Sequence, residues 1–225
     1  MFENIIKNVH NRHPLIHCIT NYVSINDCAN IVLACGGAPI MAEDINEVSQ
    51  ITSICQGLDI NIGMLNDNKL SSMLKAGATA NELGIPVILD PVGAGSSDYR
   101  IKAVQNLMSN VQFGVIRGNV SEIKAIAAKQ GIHNIAAGVY ETMQKNKSAM
   151  GVEAGIADKI TDDNIKEMAD FINKLSQKTG AVIAVTGGID MVADENRVYA
   201  IRNGHKMMSL VTGAGCQLSA LTSAY

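Results

Sequence analysis

The sequence predicts an α/β fold: a mostly parallel sheet with helices on both faces and an antiparallel hairpin at one edge. Three observations carry that prediction. Short apolar runs alternate with longer stretches of helical periodicity almost throughout the chain. The runs "PVILD", "FGVIRGN" and "AVIAVTGG" have the unbroken apolar character of strands buried on both faces. The segment from Asp190 to Leu210 instead alternates in period two about Asp194-Glu195-Asn196, which predicts a hairpin.

The elements follow in order. "FENIIKNVH" is a short amphipathic helix, and "LIHCIT" is the first strand. "SINDCANIVLACGG" has helical apolar spacing and two glycines to stop it. "APIM" is a short strand, and "DINEVSQITSIC" a helix with Asp44 placed to cap it. "LDINIG" is a strand; "DNKLSSMLKAGATANELG" is a long helix ending at Gly84. The three apolar runs and their flanking helices complete the alternation. No linker, repeat or low-complexity tract interrupts it, so residues 1–225 read as one domain, with an irregular stretch at about 130–158.

Composition narrows the function classes. Hydrophobic residues make up 47% of the chain and aromatics only 4%, so the core must be aliphatic. A formal charge of −3 gives no basic footprint for nucleic acid or an acidic membrane surface. No apolar run approaches the roughly 18 residues of a spanning helix. Five cysteines, an odd number without a C-x-x-C pair, and the lack of a basic-then-apolar leader point to a reducing cytoplasm. Cys18, Cys28, Cys35 and Cys55 read as small buried residues. The histidines at 10, 13, 17, 133 and 205 lack zinc-ligand spacing.

Ligands of open parallel sheets bind beyond the carboxyl ends of the strands. "MAED", "DPVGAGSSDYR", "RGNVSEI" and "TGG" all follow strand-like runs, and "VTGAGC" opens the last helix. Gly213, Ala214 and Gly215 form a turn whose free N–H groups suit a phosphate, although such a turn also serves merely to start a helix. Asp90 is placed to hold Mg²⁺ through water or to cap a turn. Asn119 and Glu122 can face one site or form a capping box. Arg117, a charge just past an apolar strand, needs an anionic partner. Met41 sits at a strand end before "AED". No G-x-G-x-x-G follows the first strand, which argues against a Rossmann dehydrogenase.

Together, "HCITNYVSINDCANIVLACGGAPIMAED", "AGATANELGIPVILDPVGAGSSDYR", "VIRGNVSEI", "AVTGGID" and "VTGAGCQLSAL" resemble the hydroxyethylthiazole kinases of thiamine salvage, within the ribokinase-like superfamily. The resemblance runs from about His10 to Tyr225 apart from the irregular stretch. It implies a three-layer αβα fold, ATP as co-substrate, Mg²⁺, and phosphorylation of the hydroxyl of 4-methyl-5-(2-hydroxyethyl)thiazole. It also implies a homotrimer with active sites near subunit interfaces. Met41 and Gly213 would contact the thiazole, with Asn21 lining the same pocket. Arg117 and Thr186 would bind ATP, while Asp90 and Glu122 would organise Mg²⁺ and its waters.

Two features depart from that family's pattern. Met64 stands where a threonine is expected. The family's chains run some tens of residues past "LSAL", so a C-terminal truncation is expected. Cys216 stands where the wider superfamily usually has Asp, a trait that the thiazole kinases share. Phosphoryl transfer leans on positioning and charge stabilisation, so a weak base suffices. A helix N-terminus would lower the thiol's pKa, and a nearby γ-phosphate would raise it. Cys216 is therefore expected to position the hydroxyl and act as a modest base. Another ribokinase-like kinase, an ATP-dependent hydrate dehydratase and a thiazole-sensing binding protein are the alternative readings.

Overall fold

The computed structural model describes residues 2–132 and 159–225, so His133 and most of the irregular stretch lie outside the described residues. In chain order the elements are α1 (Phe2–Arg12), β1 (Leu15–Ile19), α2 (Ile25–Ala34), β2 (Ala38–Ile40), α3 (Val48–Ser53), β3 (Gly57–Asn61), α4 (Asp67–Glu82), β4 (Val87–Asp90) and α5 (Asp98–Asn110). There follow β5 (Val115–Asn119), α6 (Val120–Lys129), α7 (Ile165–Thr179), β6 (Val182–Thr186), β7 (Asp190–Ala193), β8 (Val198–Ile201), a 3₁₀ turn (Lys206–Leu210) and α8 (Ala214–Thr222). The chain divides into two compact units, Met1–Asp90 with Leu107–Gly114 and Ser209–Tyr225, and Pro91–Asn106 with Val115–Met208.

The first unit holds a parallel sheet in the order β2-β1-β3-β4. β3 and β4 are buried along their whole length, as their apolar runs require. Ile16, Ile19, Leu58, Ile60 and Leu89 form the sheet's contribution to the core, and Met73 and Ala76 bring in α4. That helix starts at Asn66, whose side chain accepts the Lys69 N–H at 2.8 Å. α8 packs on α2 and against β3 and β4.

In the second unit the order is β5-β6-β7-β8, with β5 and β6 parallel and the remaining pairs antiparallel. Ile116, Ile123, Phe171, Leu175 and Ile183 are buried between its strands and helices. α7 ends at Gly180, whose φ of 72° is the left-handed cap that glycine adopts without strain. The architecture is thus mixed α/β, mostly parallel with an antiparallel hairpin, as the sequence predicts.

Some local expectations need correction. Asp44 does not cap a helix running from residue 44. It closes a turn in which its side chain accepts the Asn46 N–H at 2.8 Å, and α3 begins only at Val48. The turn satisfies those amides locally, so the helix starts later. The hairpin is also shorter than the period-two pattern, because β8 stops at Ile201 and residues 206–210 form the 3₁₀ turn. Arg202-Asn203-Gly204 lacks the alternating apolar residues that would continue it. Cys18, Cys28 and Cys55 are buried, whereas Cys35 is only half-buried.

Gly57 at the start of β3 shows how closely the last helix is seated. A Cβ there would lie 2.4 Å from the Ser223 carbonyl oxygen, a contact with backbone that cannot rotate away. Gly57→Ala should therefore cost about 1–3 kcal/mol through overpacking. A melting temperature unchanged from wild type would show that the end of α8 is not held against β3.

Candidate active site

A hydrogen-bonded chain of buried polar side chains lies at the carboxyl ends of β1, β3 and β4. Asp90, the last residue of β4, is fully buried and accepts from Asn61 Nδ2 at 2.8 Å. Asn61 lies directly opposite it in the β3–β4 register. The Asn61 oxygen accepts from Asn21 Nδ2 at 3.1 Å and from the Gly63 N–H at 2.8 Å. Asn21 Nδ2 also donates to Cys216 Sγ at 3.2 Å, and Asn21 Oδ1 accepts from the Ser24 N–H and hydroxyl at 3.2 and 3.1 Å. Asp90, Asn21 and Cys216 are thus brought together through Asn61, which sequence reasoning missed. A lone Asn ending an apolar run looks like a turn residue; its partner is 29 positions away.

Gly213 caps α8 with φ 76°, and a Cβ on it would sit 2.7 Å from Ser24 Cβ. Its glycine is thus required by the turn and by a close protein contact. Ala214, Gly215 and Cys216 form the helix's first turn, ahead of the Gln217 N–H bonded to the Gly213 carbonyl at 2.8 Å. The Cys216 thiol does not follow the lowering expected of a helix N-terminus. Burial pushes it above its ordinary 9.0 and the Asp90 charge adds to the rise, against opposing hydrogen bonds from Ser24, Asn21 and Asn61. Burial and the Asp90 charge both favour the protonated thiol over the thiolate.

Met41 follows β2 and is half-buried. Its neighbour Ala42 is pinned by His17, whose Nε2 lies 2.8 Å from the Ala42 carbonyl while Nδ1 lies 2.9 Å from Thr52 Oγ1. Burial lowers the His17 pKa below its ordinary 6.5, outweighing the Ala42 bond. The neutral ring therefore donates to Ala42 through Nε2 and accepts the Thr52 hydroxyl at Nδ1. Glu43, next in the chain, accepts from the Tyr22 hydroxyl and pairs with Lys69 Nζ at 2.7 Å. Lys69 also donates to the Thr20 carbonyl, and its ammonium lies 4.6 Å from the centre of the Tyr22 ring. Burial pushes the Glu43 carboxyl up, but the hydrogen bonds from Lys69 and Tyr22 and the Lys69 charge hold it below its ordinary 4.5. Met64 is exposed.

In the second unit, Arg117 lies within β5, and not past its end as the apolar run suggests. Its Nη2 donates to Thr186 Oγ1, at the end of β6, at 2.8 Å. The two expected nucleotide residues are therefore adjacent. Asn119 and Glu122 form a capping box: Asn119 Oδ1 accepts the Glu122 N–H at 2.9 Å and Glu122 Oε2 accepts the Asn119 N–H at 2.8 Å. Glu122 Oε1 accepts the Gly93 N–H at 2.9 Å, so the same carboxylate also ties down the Gly-rich segment after β4. No group of three or more metal-ligating side chains occurs among the described residues. The carboxylates of Asp90, at the end of β4, and of Glu122, in the first turn of α6, are each hard oxygen donors of the kind a hydrated cation accepts.

The sequence profile of the hydroxyethylthiazole kinase family matches residues 6–225. The chain belongs to that family. A curated protein named hydroxyethylthiazole kinase, from Clostridium acetobutylicum, is 52% identical over 225 residues, spanning all of this chain and 77% of its own length. The solved structure of a hydroxyethylthiazole kinase protein from Pyrococcus horikoshii has a TM-score of 0.81 at 33% identity, covering 98% of this chain and 74% of that one. A ribokinase-like superfamily protein from Enterococcus faecalis shares the fold alone, with a TM-score of 0.57 at 11% identity, over 94% of this chain and 70% of that one.

The Asn61 bridge and the Lys69–Glu43–Tyr22 cluster of this hydroxyethylthiazole kinase family member both escape local sequence patterns, because each joins residues distant in the chain. The buried His17 makes a pH prediction. Its folded pKa is lowered, so the unfolded chain binds a proton that the native chain refuses as pH falls below 6.5. Stability present above that pH should decline as pH falls from 6.5 toward the lower folded value. Melting curves of His17→Gln, which keeps a donor for Ala42, should show a flatter pH slope than wild type over this window. Identical slopes would remove His17 as the cause. The Glu43 contribution has a separate window, being present above 4.5 and lost as pH falls below it.

Proposed function

We propose that this chain phosphorylates the hydroxyl of 4-methyl-5-(2-hydroxyethyl)thiazole with ATP, giving the thiazole phosphate and ADP for thiamine salvage. The carrying observation is the 52% identity, over the whole chain, to a protein named for that kinase activity. In this reading Met41, Asn21 and Gly213 bind the thiazole alcohol. Arg117 and Thr186 bind ATP, and the amides of Gly213, Ala214 and Gly215 receive phosphate charge as α8 begins. Asp90 and Glu122 are the residues that would each take part in holding a hydrated Mg²⁺. When bound, the ion neutralises charge on the phosphates. The active assembly is a homotrimer in the cytoplasm.

The alcohol oxygen forms the new bond to the γ-phosphorus as the bond to the ADP oxygen breaks. The transition state is loose, so the oxygen needs orientation more than early deprotonation. A buried, protonated Cys216 with an Asn21 amide hydrogen directed at its sulfur is suited to holding the hydroxyl, and the hydroxyl proton passes late to an oxygen of the transferred phosphoryl group. This shifts the role of Cys216 from base toward positioner.

ADP release should require the thiazole alcohol, ATP and Mg²⁺ together in a coupled assay. A folded protein that releases no ADP with this alcohol would overturn the assignment. In the same assay, Cys216→Ser should keep kcat within about tenfold of wild type, and Cys216→Ala should lose about a hundredfold. An alanine variant as active as wild type would remove Cys216 from the reacting centre.

A further inference from the structure

Lys69 has no role in the reaction as described, yet it is among the most deeply buried charges in the first unit. It is 3% exposed, although it sits on the first turn of a helix where lysine normally reaches water. Its ammonium is satisfied by three groups from two loops: the Thr20 carbonyl, the Tyr22 ring and the Glu43 carboxylate. Thr20 and Tyr22 flank Asn21. Glu43 is two residues beyond Met41, with the His17-pinned carbonyl of Ala42 between them. Tyr22 closes the figure by donating its hydroxyl to Glu43.

We infer that Lys69 is a positioning residue for the thiazole alcohol, clamping the loop that carries Asn21 to the loop that carries Met41 and so fixing the spacing of the two pocket residues. This rests on the kinase reading above. An exposed ion pair would hold loops weakly, because water replaces either partner at little cost. A buried ammonium differs, since separating the loops would strip it of partners inside the protein. The Thr20 carbonyl belongs to the peptide that leads into Asn21, so the bond from Lys69 sets that peptide's plane directly. On the other loop, Ala42 and Glu43 are both tied, which leaves Met41 little freedom to move. Tyr22 and Glu43 are more open to solvent, with the Glu43 side chain 39% exposed, so each can be altered without burying a new group.

A merely stabilising cluster and a positioning clamp differ in what they do to the two substrates. Lys69→Met, which keeps the length and removes the charge, should raise KM for the thiazole alcohol by at least about tenfold while leaving KM for ATP within about twofold. Tyr22→Phe and Glu43→Gln should shift the same KM in the same direction by less. Lys69→Met combined with Glu43→Gln should be little worse than Lys69→Met alone, because both break one unit. Calorimetric titration of the thiazole alcohol without ATP should show the same ordering. Equal rises in both KM values, or a lower melting temperature with both KM values unchanged, would overturn the inference. Should Lys69→Met fail to fold, the Tyr22 and Glu43 variants carry the same test. Wild-type protein that releases no ADP with this alcohol would overturn the kinase reading and the clamp together. Wild-type turnover with an unshifted thiazole KM in the variants would overturn the clamp alone.

Discussion

A carboxylate buried at the end of a parallel strand must be supplied with donors, and meeting that demand for Asp90 organises much of the first unit. Its partner Asn61 is supplied by strand register, since β3 and β4 place the two side by side. Asn61 must then satisfy its own oxygen, which fixes the turn at Gly63 and the side chain of Asn21. Asn21 in turn fixes Ser24 and reaches the sulfur of Cys216. A network of this kind is worthwhile only when nearly every member is satisfied, because an unmet polar atom in a dry interior costs more than a met one gains. The loops after β1 and β3 therefore have one good arrangement.

The second unit solves a related problem with fewer residues. Glu122 serves the helix that carries it, through the capping box, and also receives the Gly93 amide. One carboxylate thereby fixes a helix start and a glycine-rich turn. Gly118 lies close under it, with a Cβ there falling 3.1 Å from Glu122 Oε2. Arg117 reaches Thr186 across neighbouring parallel strands, so the sheet itself sets that pairing. In both units strand register decides which of these strand-end side chains can meet.

Local patterns made the strands and most helices legible, because burial on both faces leaves an apolar run and amphipathicity leaves a period. The strand-end residues were legible as candidates for a similar reason: Asp90, Asn119 and Glu122 interrupt apolar sequence with charge or amide. Their partners were less so. Lys69 reads as an ordinary exposed lysine near a helix start, and only the arrival of Thr20, Tyr22 and Glu43 makes it a buried ion. For the thiol of Cys216 the helix position is visible in sequence, whereas the burial that contributes most to raising its pKa is not. Asp44 shows the same limit on a smaller scale, its side chain being able to serve a turn as well as a helix.

The placement of the cysteines governs how this protein meets oxidants and alkylating reagents. Such reagents attack thiolates, and burial raises the pKa of Cys18, Cys28, Cys55 and Cys216, with Cys28 pushed up to about 12 and Cys55 to about 11. Cys35, at the end of α2, is the thiol left partly open to solvent. A chain with five sulfhydryls thus presents one accessible handle, on a helix end, where a spectroscopic label can be attached with the interior thiols left intact.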